Sequence, residues 1–189
     1  MLSKYFRLES ERLYLLPLSY EFLTLLDSQP DVLAQKLGLT KCAIDMEEPF
    51  DSAYKEAMHD FWLPQTMVNA TNYKWLTNWL VIDKASKKCV GGIGFAGIPE
   101  EAGESEVGYG MDINERGKGY ATEALQCLIN WGFTQPKLKT VIAHTLPDGE
   151  DSQKVLKKCG FECHGQITNQ DGEVLLWKLE KATFENRLI

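Results

Sequence analysis

Several absences narrow what this chain can be. Met1-Leu2-Ser3-Lys4-Tyr5-Phe6-Arg7 is soon followed by Glu9 and Glu11, so no apolar core of a secretory signal can be drawn. No apolar run reaches membrane-spanning length, which argues against a helical membrane protein. Cysteine is scarce: Cys42, Cys89, Cys127, Cys159 and Cys163 are odd in number, scattered and without a C-x-x-C pair, so a disulfide framework is excluded and a reducing cytoplasm is expected. Cys159, Cys163 and His164 lie close together, but the second Cys pair and second His of a closed zinc site are missing, and no metal is expected. Basic residues number 20 against 27 acidic ones, a net charge of -7, which argues against direct nucleic-acid binding and against an anionic membrane surface. That balance suits a cationic amine and leaves a basic protein target open. Repeats, linkers and low-complexity tracts are also absent. With 189 residues and 44% hydrophobic content, the chain is expected to fold as one α/β domain over 1–189, being short for two cores.

What is present centres on Asp112-Ile113-Asn114-Glu115-Arg116-Gly117-Lys118-Gly119-Tyr120-Ala121. Upstream, Glu106 to Met111 alternates as a strand does; downstream, Ala121, Ala124, Leu125, Leu128, Ile129 and Gly132 recur at helical spacing. The period changes at the glycines. No Ser, Thr, Asp or Asn lies among Glu115 to Gly119, so the first N–H groups of the helix are expected to lack a side-chain cap and to be free for an anion. Arg116 and Lys118 beside them, and glycines that let a ligand approach the backbone, give a phosphate cradle at a helix N-terminus.

Around that turn the chain orders as follows. Arg12 to Leu18 reads as a strand, Ser19 as the N-cap of a helix closed by Pro30, and Asp31 to Leu37 as a second helix ended by Gly38. Phe50, Tyr54, Ala57, Met58, Phe61 and Trp62 recur at three and four, predicting a helix stopped by Pro64. Tyr73 to Asp83 and Cys89 to Ile98 read as a hairpin. Gly92-Ile93-Gly94-Phe95-Ala96-Gly97 formally matches the dinucleotide fingerprint G-x-G-x-x-G, but Ile98-Pro99 and Gly103 follow with no helical pattern, so these glycines are assigned to a strand with a close neighbour. Thr140 to Thr145 is β-branched; Pro147-Asp148-Gly149 is a turn; Asp151 or Ser152 can cap a helix ended by Gly160. Phe161 to Ile167 and Glu173 to Leu179 are strands, joined by Asn169-Gln170-Asp171-Gly172.

Arg116-Gly117-Lys118-Gly119-Tyr120-Ala121 resembles the R/Q-x-x-G-x-G/A signature of the GNAT superfamily of acyl-CoA-dependent N-acetyltransferases. Glu106-Val107-Gly108-Tyr109 before it, Ala121-Thr122-Glu123-Ala124 after it, and Ser152 through Lys158-Cys159-Gly160-Phe161 are similar to the branch containing the ribosomal-protein N-terminal acetyltransferases. Arg12-Leu13-Tyr14-Leu15 extends the likeness to the first half. The resemblance implies a mixed central sheet of about seven strands flanked by helices, with a helical insertion before the second strand. It implies acetyl-CoA as co-substrate, and as acceptor a small-molecule amine or a protein N-terminus. A homodimer is compatible with it.

By the same resemblance the cofactor contacts are Met111, Asp112, Ile113, Arg116, Gly117, Lys118, Gly119, Tyr120 and Ala121. Backbone groups of Met111 to Ile113 would hold the pantetheine arm; Ile113 stands where proline is common and keeps the extended conformation. Glu106 is the expected general base, directly or through water. Tyr54, Phe61 and Trp62 are candidates to face the acceptor, although such an aromatic stripe also serves as plain core. Ser152 aligns with a serine that can donate to the departing thiolate, against a helix-cap role. Leu156 stands where many members have a tyrosine for that purpose, and Gly149 where the branch often has an asparagine. His59, His144 and His164 are expected to be structural or surface residues. An acyl-CoA-binding sensor with little or no turnover is the alternative that Gly149 and Leu156 suggest.

Overall fold

The computed structural model describes residues 2–169 and 172–186. Eight strands form one mixed sheet in the order β1-β2-β3-β4-β5-β6-β8-β7. They are β1 (Leu8–Glu9), β2 (Leu13–Pro17), β3 (Trp79–Asp83), β4 (Lys88–Phe95), β5 (Glu104–Met111), β6 (Thr140–Thr145), β7 (Glu162–Asn169) and β8 (Gly172–Glu180). The strand beyond those expected is β1, whose two residues are too few to show an alternation. Neighbours pair antiparallel except β5 and β6. A parallel pair needs a crossover, here α5 (Tyr120–Thr134). The helices α1 (Tyr20–Ser28), α2 (Pro30–Leu37), α6 (Glu150–Cys159) and α7 (Lys181–Asn186) complete the flanks. Of the expected final hairpin turn, Gln170 and Asp171 lie outside the described residues. Among the described residues no helix is long and apolar enough to cross a membrane.

Two apolar clusters cover the sheet unevenly. On one face, Leu13, Leu15, Trp79, Val81, Ile93, Phe95, Val107, Val141 and Trp177 meet Leu125, Leu128 and Ile129 of α5 and Leu156 of α6. On the other, Leu16, Leu18, Leu80 and Ile82 meet Phe22 and Leu23 of α1, Leu33 and Leu37 of α2, and Met58 of the insertion. All five residues of β3 are consequently buried, as expected of a strand covered on both faces. The second cluster draws no residue from β5, β6 or β8, so on that face the even-numbered residues Glu106, Ile142, His144 and Lys178 are not sealed in apolar core.

The glycines of β4 do what the strand assignment required of them. A Cβ at Gly94 would stand 2.5 Å from Thr77 O, one at Gly92 2.5 Å from Asn78 Oδ1, and one at Gly91 2.6 Å from Gly110 O. Close neighbours, main chain at Gly91 and Gly94 and the Asn78 side chain at Gly92, account for these three; Gly97 lies beyond β4, and a Cβ there would meet nothing within 4 Å.

Three local expectations are corrected. Pro64 does not stop a helix: α3 (Phe50–Glu56) runs into a π-helical stretch (Ala57–Trp62) and on into α4 (Leu63–Val68). There the Leu63 N–H bonds to Met58 O, five residues back, and the widened turn accommodates a residue without an N–H. Tyr73–Trp75 is a 3-10 turn, and its strand begins only at Trp79, because Trp75 and Leu76 tuck into the core and Thr77 Oγ1 donates to Leu18 O at 2.6 Å. Neither Asp151 nor Ser152 caps α6; the helix opens at Glu150 behind Gly149, whose N–H closes the turn on Leu146 O at 3.0 Å.

Candidate active site

β5 and β6 pair over three rungs only: Glu104 with Thr140, Ser105 with Val141, Glu106 with Ile142. Beyond them β5 continues with β4 as far as Met111, while β6 continues with β8 as far as Thr145. Two parallel strands therefore part, and a helix follows each at the parted end, α5 after β5 and α6 after β6. A crevice at the carboxyl ends of diverging parallel strands is where an open α/β sheet binds ligands. Glu106 O accepts from Ala96 N (2.8 Å) and Asp112 N donates to Val90 O (3.0 Å), so even-numbered residues turn their main chain to β4. The odd-numbered residues face β6: Val107 still gives its N–H to the last rung, and beyond it Tyr109 and Met111 turn their main chain into the opening, where an extended ligand can pair as a strand would. Of the amides expected to hold an arm there, two are already engaged: Asp112 N with Val90, and Ile113 N with Asp45 O at 2.8 Å.

The turn after β5 has the cradle geometry. Gly117 and Gly119 have φ of 74° and 81°, in the left-handed region that favours glycine. A Cβ at Gly117 would meet nothing within 4 Å, so the backbone there is open to a ligand. Gly119 is the N-cap residue of α5 without a side-chain cap, and the first intrahelical bond comes only from Glu123 N to Gly119 O (3.1 Å). The amides of Tyr120, Ala121 and Thr122 precede it, so the 15-residue helix opens with donors that no side chain caps at its positive dipole end, the kind of place where anions bind. Tyr120 and Ala121 are half-buried against the core behind. Asp112, fully buried, accepts from Asn114 N (2.9 Å) and Asp45 N (3.1 Å). Burial pushes its carboxyl up, but those amides, the Asn114 side chain and nearby Lys41 outweigh it and hold it below its ordinary value.

The cations of the cradle are less free than the sequence suggested. Arg116 is ion-paired with Glu47, and Lys118 with Glu115 at 2.6 Å; Lys88 reaches the same Glu115 at 2.7 Å. Lys118 and Lys88 hold the Glu115 carboxyl below its ordinary value. Glu47 thus faces the turn that carries Gly117 and Gly119. Arg12 supports the turn from β2: its Nη1 donates to Lys118 O (3.0 Å), its Nε to Glu123 Oε2 (2.7 Å), and its guanidinium lies over the Tyr120 ring. The likeness of Arg12-Leu13-Tyr14-Leu15 to the family thus acquires a physical reason.

Glu106 Oε1 lies 2.8 Å from His144 Nδ1, across the last rung before the strands part. His144 was expected to be a structural or surface residue, and no spacing links residues 38 apart on different strands. Glu106 also lines a pocket with Phe61, Gln65, Asn69, Leu76, Ile98 and Ile142. Phe61, Tyr54 and Trp62 separate. Phe61 joins Glu106 in that pocket, whereas Tyr54 and Trp62 stack edge to face at 5.0 Å against the second apolar cluster. The Tyr54 hydroxyl accepts from Asn78 Nδ2 (3.0 Å), and burial pushes its ionisation up.

On the opposite face of β5, the Tyr109 hydroxyl donates to the main-chain oxygen of Ser152 at 3.2 Å, in the first turn of α6. Burial pushes the Tyr109 phenol up, so it stays protonated at neutral pH. Ser152 therefore stands beside the opening with its side chain free of capping duty. Leu156, where the family often has tyrosine, is 1% exposed and belongs to the core. Tyr109 brings a phenol to the same region from a strand.

A family model described as "Acetyltransferase (GNAT) domain" matches residues 12–162. An uncharacterized N-acetyltransferase of Bacillus subtilis (strain 168), YjdG, is 36% identical over 97 residues, covering 51% of this chain and 58% of that protein. The chain spans about half the length of the curated relatives it matches. Among solved structures, a ribosomal-protein-S5-alanine acetyltransferase from Vibrio fischeri is 19% identical with a TM-score of 0.64, covering 93% of this chain and 97% of that one. RimL, a ribosomal L7/L12 α-N-protein acetyltransferase in complex with coenzyme A, is 14% identical with a TM-score of 0.66, covering 93% and 98%. At these identities the structures bear on the fold.

Proposed function

This chain belongs to the GNAT acetyltransferase family, and on that premise we propose that it transfers an acetyl group from acetyl-CoA to a primary amine, either a protein N-terminus or a small molecule. The observation that carries the reading is the parting of β5 and β6 after Glu106 and Ile142, directly before an uncapped α5. The diverging strands offer backbone for a pantetheine arm, and the amides of Tyr120 to Thr122 offer donors for its pyrophosphate. Arg116 and Lys118 add charge once their carboxylate partners are exchanged for phosphate oxygens. Reaction requires the thioester to be fixed, its developing oxyanion to meet donors, and the amine to lose its proton. N–H groups of Tyr109 and Met111 are the candidate oxyanion donors, and the Glu106–His144 pair is the candidate proton acceptor. Ser152, with Tyr109 hydrogen-bonded to its main chain, is the proposed hydroxyl donor to the departing thiolate. Tyr54, Phe61 and Trp62 remain the proposed acceptor wall, with Phe61 in direct reach and the other two shaping it from behind. The buried free thiols Cys42, Cys89 and Cys159 suit a reducing compartment.

The test is release of free thiol from acetyl-CoA by the wild-type protein over a panel of small amines, polyamines and N-terminal peptides. Release that depends on the acceptor supports the reading. Tight acetyl-CoA binding with no release for any amine would make the chain an acyl-CoA-binding module instead.

A further inference from the structure

We propose that His144 is the group that accepts the acceptor's proton, through Nε2, and that Glu106 is the residue that positions it. The proposal rests on the acetyl-transfer reading and deepens it.

A carboxylate accepts hydrogen bonds and does not donate them, so the 2.8 Å contact between Glu106 Oε1 and His144 Nδ1 puts the ring proton on Nδ1. Nε2 then carries the lone pair. It has no hydrogen-bond partner among the described residues. The imidazole stands where the two strands part. Glu106 stands on the last paired rung of β5 and β6, and His144 lies two residues beyond that rung, where β6 has already left β5. Its side chain is 19% exposed against 41% for Glu106, so the ring, not the carboxylate, is the more sheltered from water. The charged groups around it come from both neighbouring strands. β5 contributes Glu106 and Glu104, and β8 contributes Lys178, which is ion-paired with Glu104 at 3.0 Å. The insertion that shares the Glu106 pocket brings the uncharged Phe61, Gln65 and Asn69, and the loop before β5 brings Glu100. With Lys178 engaged by Glu104, Glu106 is the carboxylate left to the imidazole.

Imidazole titrates in the neutral range and a carboxylate near pH 4, so a base working at neutral pH is better matched by the ring. The ammonium of the acceptor gives one proton to Nε2, and the freed nitrogen lone pair forms the bond to the thioester carbonyl carbon. The C–S bond breaks with its electron pair on sulfur. The second proton lost by nitrogen ends on the thiolate, and the imidazolium, steadied by Glu106, returns the first to solvent.

Two measurements on the full chain test this. The first is kinetic, with the best amine of the panel. His144→Gln lowers kcat roughly 10²-fold at neutral pH while acetyl-CoA affinity stays constant, and the acidic limb of the kcat/KM profile seen in wild type disappears. Added imidazole partly restores turnover to His144→Ala. Wild-type turnover and an unchanged pH profile in a folded His144→Gln protein overturn the proposal while leaving acetyl transfer intact; no thiol release by the wild type with any amine removes both. The second needs no activity. Nitrogen-15 NMR of the wild-type histidine rings reports a proton on Nδ1 of His144 and a bare Nε2, a tautomer bias lost in Glu106→Ala. A proton on Nε2 instead overturns the assignment.

Discussion

Arg12 Nε and Glu123 Oε2 meet at 2.7 Å although 111 residues separate them, and the same carboxylate accepts from Arg12 N and from Ser10 Oγ, both at 2.7 Å. The arrangement clamps the start of β2 to the first turn of α5. Because Arg12 also holds Lys118 O, the clamp fixes the carbonyl that flanks the cradle glycines. Arg12→Ala removes two charge-assisted bonds, so acetyl-CoA affinity is expected to fall about tenfold through loosening of the turn, with no loss of a ligand contact. Calorimetry reads the affinity, and hydrogen exchange at residues 117–120 reads the loosening.

The clamp also predicts an acid limb to stability. Burial pushes the Glu123 carboxyl up, but the Arg12 amide, the Ser10 hydroxyl and the Arg12 guanidinium outweigh it and hold it below its ordinary value. A carboxyl depressed in the folded state stabilises fully above its unfolded value, about 4.3, and loses that contribution as pH falls through the lower folded value. Glu123→Gln is therefore expected to be less stable than wild type from pH 5 to 8, by about 1–3 kcal/mol, with the gap closing below about pH 4. Urea melts across that range measure it; a gap that persists unchanged into strong acid would remove the ionic account.

At the cradle, Gly119→Asp is expected to abolish measurable acetyl-CoA binding. A side chain there is strained at φ 81° and carries a negative charge to the place of the phosphates. Arg116→Ala costs less than about tenfold, because the guanidinium is exposed and already paired with Glu47. Glu47→Gln should tighten binding slightly by freeing Arg116, most visibly at low salt. Titration of acetyl-CoA into each variant at two ionic strengths checks all three.

Glu106→Gln is expected to lower maximal turnover roughly 10²-fold while acetyl-CoA affinity stays nearly constant. The loss should depend on the acceptor. An α-amine of pKa about 8 is already partly neutral at pH 7, whereas an ε-amine near 10.4 costs roughly 4.6 kcal/mol to neutralise, so the former suffers less and recovers first as pH rises towards 9. Equal turnover by variant and wild type from pH 6 to 9 would make Glu106 a bystander.

Gly94→Ala tests the reading of the glycine-rich strand. The new Cβ would stand 2.5 Å from a main-chain oxygen, Thr77 O, which cannot swing aside. The expected outcome is a loss of about 1–3 kcal/mol with little change in acetyl-CoA affinity per folded molecule. A calorimetric melting point within a degree of wild type would contradict the close approach.

The cradle was legible in the sequence because it is local. A strand period, two glycines without a capping residue between them and a helix period fit within a short stretch, and backbone conformation follows from neighbours along the chain. The same locality made β6 and α2 readable to within a residue. Where local rules failed, a distant partner or a rarer backbone form had intervened. Pro64 passes because the π-helical stretch widens the turn before it. The stretch from Tyr73 to Asn78 turns instead of extending because Trp75 and Leu76 find a core assembled from β4, β5 and α5.

The amino-acid sequence by itself determined the family, the mixed sheet and the uncapped turn, since period, punctuation and glycine placement are written residue by residue. The tertiary structure decided the pairings that give that turn its chemistry: Arg12 with Glu123, Arg116 with Glu47, Glu106 with His144, and Phe61 beside Glu106 while Tyr54 and Trp62 pack elsewhere. Those pairings depend on which strands neighbour each other and on which rung two of them part. Register is a property of the assembled sheet, and no window of the chain contains it.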